Sequence, residues 1–392
     1  MSDRFSCTAD VRLKPGREVS LLRRHPWVYR GALAGPVPAG GAPVRVIAAN
    51  GRPLGVALPG GSGRSLALRV VAWGEEPWSG AALRARVLDA ATLRERLNLD
   101  ADAYRLVHSE GDGLPGLVID RYGATAVCQL FEAAWEPYLP DVAELLGGAL
   151  GFENVLVRTG DSTGSVPTAL LGRVPETGVL IREGSLRFEA DLVRGQKTGF
   201  FLDQRENRRR IGSLARGAEV LNLFSYSGGF AVAALAGGAE RAVNVDASEA
   251  ALALARRCCA LNSLRVRDDD FVAGDAFRVV RSLAAEGTHF DIVVVDPPAF
   301  VKRSADLHAG LRGYKDVNLY AMKLVRPGGL LLTCSCSALV GEEQFSGVIS
   351  AAATDAGRLV RVIERRSAGP DHPVSPHCPE AAHLKAWLCA VN

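Results

Sequence analysis

Two cysteines separated by one residue, Cys334 and Cys336, close an apolar run that begins at Gly329. A thiolate is a strong nucleophile that can add to an electron-poor carbon and later leave again. Asp296 ends a second apolar run, Phe290-Asp291-Ile292-Val293-Val294-Val295, and is followed by Pro297-Pro298-Ala299-Phe300. A carboxylate on a loop stiffened by prolines can orient a substrate or accept a proton. Two further acids, Asp246 and Asp275, follow shorter apolar runs, and the turn Ser225-Tyr226-Ser227-Gly228-Gly229 precedes both. Each residue also has a plainer reading. A cysteine on a strand is often a small buried hydrophobe, and Asp-Pro often caps a turn.

The elements that must position these residues follow a strict strand–helix alternation. Ile292 to Val295 are four consecutive β-branched residues without polar alternation, which predicts a strand buried on both faces at the centre of a parallel sheet. Strands are expected at Val220–Phe224, Ala242–Val245, Phe271–Ala273, Phe290–Val295, Gly329–Thr333, Val360–Ile363 and His383–Ala390, a sheet of about seven. Ligands of such sheets lie outside the carboxyl ends of the strands, where Asp246, Asp275, Asp296 and Cys336 fall. A glycine turn at a helix start, with an acid eighteen residues beyond Gly228, is a nucleoside-binding arrangement. Serines at 225 and 227 break the glycine pattern of dinucleotide binders. The expected cofactor is therefore S-adenosylmethionine, held by Phe224, Ser225, Tyr226, Ser227, Gly228, Gly229, Asp246, Asp275, Asp296 and Pro297. Gln196, Lys197 and Thr198, a polar loop before the first strand, are expected to complete the site.

A thiol beside such a cofactor suits methylation of carbon 5 of a pyrimidine. That carbon becomes nucleophilic once a thiolate adds to carbon 6. Cys334 and Cys336 face one side of their strand, and Cys336 is nearer its carboxyl edge.

Upstream, residues 79–185 predict an α+β domain. It has a helix capped by Ser79, a hairpin of Leu117–Asp120 with Ala124–Phe131, a helix near Pro137–Leu150 and a strand at Asn154–Arg158. Glu110 and Asp112 exclude a phosphate loop at 108–116 and leave a structural turn. Asp203 with Glu206 reads as a capping box for a helix whose exposed face is Arg208–Arg210. Residues 1–75 predict a β-rich module, with runs at Val44–Ala48, Leu54–Leu58 and Leu66–Val71 between Gly/Pro turns, one of them Pro59–Gly63. This module carries eleven Lys/Arg against four Asp/Glu, so +7 of a net +3 chain sits there and −4 on the rest. Such a balance points to an anionic partner, with Lys14, Arg17, Arg23, Arg24 and Arg30 as RNA-binding candidates beside Trp27 and Tyr29. Trp27 itself is expected in the small core. The eight cysteines form no CxxC pair and no apolar run is long enough to span a membrane, so reduced thiols in a cytoplasmic protein are expected. The run Asp371-His372-Pro373 to His383 contains ligand residue types, but its spacing fits no zinc pattern and no metal is expected.

Across its whole length the chain resembles the RlmI-like large-subunit ribosomal RNA cytosine-5 methyltransferases. The matching runs include Ser20-Leu21-Leu22-Arg23-Arg24-His25-Pro26-Trp27-Val28, His108–Gly116 and Gly195-Gln196-Lys197-Thr198-Gly199 with Asp203-Gln204-Arg205-Glu206-Asn207. They continue through Phe224–Phe230, Asp296–Phe300, Gly313-Tyr314-Lys315-Asp316-Val317-Asn318, Ser335-Cys336-Ser337 and Asp371-His372-Pro373-Val374. The resemblance implies an α/β protein in three parts. These are a PUA RNA-binding domain (1–75), a central α+β domain (79–185) and a Rossmann-like class I methyltransferase domain (186–392). It implies Cys336 as nucleophile, and 23S rRNA or a large-subunit precursor as partner; a homodimer is left open. Related RNA cytosine-5 enzymes often carry a second cysteine after the proline of the fourth strand, where this chain has Ala299 and Phe300. Two alternatives stay open: methylation of a guanine or adenine nitrogen, and a non-catalytic rRNA-binding assembly factor.

Overall fold

The computed structural model describes residues 4–60, 65–159 and 166–392, so Gly61–Gly63 of one expected turn lie outside the described residues. The chain forms two compact units. The first gathers the described part of Met1–Ile181 with Ala190–Phe200 and Pro370–Ala381; the second gathers Arg182–Glu189, Phe201–Gly369 and Ala382–Asn392.

The second unit carries the sheet predicted from the seven apolar runs. Its strands are β1 (Glu219–Leu223), β2 (Arg241–Asp246), β3 (Phe271–Ala273), β4 (Phe290–Val295), β5 (Val325–Ser335), β6 (Val360–Arg366) and β7 (Lys385–Val391). Their order is β3-β2-β1-β4-β5-β7-β6. β1 to β5 run parallel, and β7 enters antiparallel between β5 and β6. The helices are α1 (Arg205–Leu214), α2 (Gly229–Ala236), α3 (Glu249–Leu261), α4 (Ala276–Ala285), α5 (Leu307–Leu324) and α6 (Glu342–Ala356).

The β-branched run explains the two-layer cover. Val293 and Val295 pack with Val317, Ala321 and Phe345 of α5 and α6, while Ile292 and Val294 pack with Ile211 and Ala231 of α1 and α2. Successive side chains of a strand point to opposite faces, so both faces of β4 need apolar residues. The strand order reverses between β1 and β4, the switch point beside which sheets of this kind bind their ligands at the carboxyl ends of the strands.

Two expectations near α1 are corrected. Gln204, not Asp203, is the residue before α1, and it makes no side-chain cap bond. Asp203 is buried instead in a single 3-10 turn, Leu202–Gln204. Arg208 is likewise not exposed: it is buried, and its guanidinium grips Glu183 with Nε at 2.9 Å. A buried carboxylate partner outweighs the solvation that a run of arginines would otherwise seek.

The first unit holds two five-stranded sheets. One joins Asp10–Arg12, Val44–Ile47, Pro53–Pro59, Leu66–Trp73 and Trp27–Tyr29; the other joins Thr168–Leu171, Asn154–Thr159, Thr125–Leu130, Leu117–Tyr122 and Ala103–His108. Ser79 caps the helix Gly80–Arg96 by accepting from Ala82 N–H. Val56, Leu58, Val71 and Ala72 share one core with Trp78, Val107 and Trp135. Among the described residues no helix is long and apolar enough to cross a membrane.

Candidate active site

The turn after β1 is shaped by backbone that few residues adopt. Phe224, Tyr226 and Gly228 have φ of 58°, 46° and 70°, the left-handed region. At Gly228 a Cβ would meet the Ala255 Cβ at 2.8 Å, so glycine lets α3 close on the turn. The strain at Tyr226 is held by Asp246, whose carboxylate accepts from Tyr226 N–H at 2.8 Å and Ser248 N–H at 2.9 Å. Ser225 N–H donates to Val245 O at 3.0 Å, which ties the turn to β2. Ser225 and Ser227 are buried, and Asp246 is half-buried at the end of β2.

A carboxylate offers about four lone-pair directions, so Asp246 keeps about two after its backbone bonds. Asp275 is exposed and caps α4, accepting from Arg278 N–H at 3.0 Å through one oxygen. The half-buried rings of Phe224, Phe277 and Phe300 form an apolar wall beside it, with centroids 5.7 to 6.2 Å apart. A ribose diol on Asp246, with a purine against these rings and its amino group at the free Asp275 oxygen, matches this donor and acceptor set. The residues therefore fit an adenosyl cofactor.

Gln196, Lys197 and Thr198 belong to the first unit. Thr198 is fully buried there, and its hydroxyl bonds Asp120 at 2.5 Å and Tyr122 OH at 2.8 Å. These bonds lock the loop to the hairpin Leu117–Leu130. Gln196 is exposed, and Lys197 is half-buried with φ of 52°.

At the carboxyl ends of β4 and β5 the geometry separates the two cysteines. Val295 pairs with Thr333, so Asp296 leaves the sheet level with Cys334. Cys334 is fully buried, and burial, with Asp296 adding, pushes its thiol well above the ordinary value. Cys336 lies just past the end of β5, half-buried, its Sγ directed at Pro297 O at 3.7 Å. Of the eight cysteines, Cys7 in the first unit and Cys336 in the second are the two that are not buried. Asp296 is half-buried and accepts from Gln204 Nε2 at 2.9 Å. Ser337 beside Cys336 is fixed by Val301 N–H at 3.1 Å and Tyr314 OH at 2.9 Å.

Three residues assigned no role from the sequence enter here. Gln204 and Asn207 form a buried chain onto Asp296, with Asn207 Nδ2 donating to Gln204 Oε1 at 2.6 Å. Lys385, almost completely buried, reaches Ser337 O at 3.1 Å. The DQREN run flagged the first two, but nothing local distinguishes Lys385 from an edge lysine.

In the first unit Lys14, Arg17, Arg23, Arg24 and Arg30 are all exposed. Arg24 stacks its guanidinium 5.3 Å from the Trp73 ring, and Tyr29 is exposed. Trp27 is half-buried, its indole N–H donating to Glu110 at 2.7 Å. The turn at 108–116 is structural: Asp112 bonds Arg94 at 2.6 and 2.7 Å, and Glu110 also pairs with Arg69. Cys378 and Glu380 come near His25, ligand atoms within 4.8 Å of one another. Trp27 N–H donates to His25 Nδ1 at 3.2 Å, so the neutral ring carries its proton on Nε2, facing Glu380 at 3.4 Å. Burial, then Glu110 and Glu380, pushes the Cys378 thiol up to about 12.

The comparisons with known proteins agree with this geometry. Residues 157–390 match a model described as an S-adenosylmethionine-dependent methyltransferase, and residues 11–73 match a PUA-like domain. A protein of Vibrio vulnificus named ribosomal RNA large subunit methyltransferase I is 37% identical, covering 98% of this chain and 100% of its own. Its namesake from Erwinia tasmaniensis is 39% identical over the same shares. A candidate SAM-dependent methyltransferase from Streptococcus mutans superposes with a TM-score of 0.87 at 20% identity, covering 98% of this chain and 100% of that one. A structure complexed with SAH superposes equally well at 19% identity over the same shares. At these identities the structural likeness carries the fold alone.

Proposed function

The chain belongs to the S-adenosylmethionine-dependent methyltransferase family whose curated members are named ribosomal RNA large subunit methyltransferase I, and from that premise we propose that it methylates carbon 5 of a cytosine in 23S rRNA through a covalent adduct of Cys336. The observation that carries the proposal is the contrast between the two thiols: Cys334 is sealed in the core, while Cys336 is half-buried just past the sheet beside the Asp296 loop. Methylation of a ring nitrogen would need no such thiol.

When bound, S-adenosylmethionine supplies an electrophilic methyl group. Asp246 and the 224–229 turn would hold its nucleoside, and Asp275 and Phe277 would flank the base. Cys336 Sγ, as thiolate, would form a bond to carbon 6 of the cytosine, with the C5–C6 π pair moving to carbon 5; carbon 5 would take the methyl group as the sulfonium S–CH3 bond breaks and the pair stays on the departing thioether. Asp296 orients the cytosine or receives the carbon-5 proton, and elimination breaks the S–C6 bond and restores the ring. Gln204 holds the Asp296 carboxylate in place. Residues 1–75 are proposed as the PUA-like module that meets RNA phosphates through Lys14, Arg17, Arg23, Arg24 and Arg30. Residues 79–185 are proposed as a central domain and 186–392 as the catalytic domain.

The test is rRNA carrying 5-fluorocytosine at the target, which cannot lose its carbon-5 substituent and so traps the adduct. Wild type and Cys334→Ala should give a trapped species, and Cys336→Ala none. Robust methylation by Cys336→Ala would refute the mechanism and favour nitrogen methylation.

A further inference from the structure

Nucleophilic attack at Cys336 requires thiolate, yet an ordinary thiol has a pKa of about 8.5 and is mostly protonated at neutral pH. The groups around Cys336 on the β4 side make this worse. Asp296 is an anion, and its charge, with that of Asp203, already helps push the neighbouring Cys334 thiol up. Tyr314 is held neutral, its own ionisation pushed up first by burial and in part by Cys336. A compensating positive charge has to come from elsewhere.

It comes from β7. The antiparallel register pairs Ser335 with Lys385, directly across from the end of β5. Lys385 is 5% exposed, and its Nζ donates to Ser337 O at 3.1 Å. The ammonium thus spans from the level of Ser335 to that of Ser337, the two residues that flank Cys336. The same Ser337 is clamped through Oγ by Val301 N–H and Tyr314 OH. This fixes the Cys336 backbone relative to the lysine. Along β7, Ala386, Trp387, Leu388 and Cys389 are all buried and apolar, so packing alone would favour an apolar residue at 385. Burying an ammonium against one neutral carbonyl is unfavourable, and a charge kept there needs a counter-charge to offset its desolvation.

We infer that Lys385 is a positioning residue that keeps Cys336 ready for attack, its ammonium anchored on the Ser337 carbonyl and stabilising the adjacent thiolate. The inference rests on the reading of Cys336 as nucleophile. Ionisation is a simple loss of the Sγ proton to water; Lys385 keeps its own three protons and contributes charge. Burial pulls the Lys385 pKa below the ordinary lysine value, while Glu342 and Cys336 pull it back up. The coupling is reciprocal: what the thiolate does for the ammonium, the ammonium does for the thiolate. Titrating and charged groups near the pair among the described residues include Glu342, Tyr314, Asp296, Cys334 and Asp203 with its neighbour His383, and Lys385 contributes positive charge among them.

The experiment measures the pH dependence of iodoacetamide alkylation at Cys336 in the full-length protein, read by peptide mass spectrometry so that Cys7 does not interfere. Wild type should show a midpoint below about 8.5. Lys385→Met should raise it by about one unit and slow alkylation at neutral pH about tenfold, while Lys385→Arg should recover most of the rate. Near-UV circular dichroism establishes that each variant is folded. Equal midpoints in wild type and folded Lys385→Met overturn the inference. If Lys385→Met does not fold, the wild-type midpoint decides, and a value at or above about 8.5 overturns it. Failure of the underlying reading looks different: Cys336→Ala would still transfer methyl groups, whatever the thiol titration shows.

Discussion

Replacing Gln204 with methionine isolates the link that positions Asp296. The amide orientations are forced along a chain. Arg366 Nε can only donate, and it does so to Asn207 Oδ1 at 2.8 Å. Asn207 Nδ2 must then face Gln204 Oε1 at 2.6 Å, which turns Gln204 Nε2 onto Asp296 Oδ1 at 2.9 Å. Methionine keeps the length of the side chain and removes both bonds. A hydrogen bond to an ionised group contributes about 1.5–3 kcal/mol, and water can partly replace it at a half-buried carboxylate, so the lower end applies. Asp296 would lose its alignment in the transition state, and kcat should fall about tenfold for about 1.4 kcal/mol. Asn207 keeps Ser367 O at 3.3 Å, so the stability loss should stay near about 1 kcal/mol. Gln204→Glu is the sharper companion. It sets a second carboxylate against Asp296, the pair resists double ionisation, and the acid limb of the kcat profile should move to higher pH. The assay is methyl transfer from labelled cofactor to rRNA across pH. A folded Gln204→Met enzyme turning over at the wild-type rate would refute the role of this chain.

Asp246→Ala removes the acceptor for Tyr226 and Ser248 N–H as well as the proposed ribose contact, so calorimetry should show cofactor affinity weakened by about 1.5–3 kcal/mol or more; unchanged affinity would remove Asp246 from the site. Changing Arg17, Arg23 and Arg24 together to alanine should lower the slope of log affinity against log salt by up to about 2–3, since each lost phosphate contact removes about 0.7–0.9. Point changes suit this test better than deleting residues 1–75, because Val56, Leu58 and Val71 belong to a core shared with Trp78 and Trp135. Arg208→Met leaves the buried Glu183 without its partner and should cost about 3–5 kcal/mol in urea unfolding, whereas Arg208→Met with Glu183→Met should cost much less.

The catalytic sheet was legible because its signals are local. Ile292–Val295 can be apolar at every position only where both faces are covered, and the acids at 246, 275 and 296 follow directly from where each run ends. What was not legible depends on partners distant in the chain. The Asp203–Glu206 spacing matches a capping box, but Asp203 is drawn into the interior, where Gly369 N–H donates to its carbonyl at 3.3 Å and His383 Nε2 lies 3.6 Å from its carboxylate. Arg208 looks solvated beside Arg209 and Arg210 until the 182–189 segment brings Glu183 to it. The partners that fix Thr198, Asp120 and Tyr122, likewise lie more than seventy residues upstream.

Lys385 shows the same limit at the active site. In the run His383-Leu384-Lys385-Ala386-Trp387 a lysine near the start of a strand ordinarily signals an exposed edge. It is buried because β7 inserts antiparallel between β5 and β6, an order that no local pattern encodes. That insertion gives the two cysteines different chemistry. Thr333, Cys334 and Ser335 are paired on both sides or sealed by the layers, so Cys334 keeps its proton and serves packing. One residue past the last ladder pair, the chain turns away from the sheet, and Cys336 gains solvent access together with a neighbouring cation. A displacement of one strand position would return it to the core. The end of β5 relative to β7, more than the presence of a Ser-Cys-Ser run, is therefore what leaves Cys336 half-buried while Cys334 is sealed.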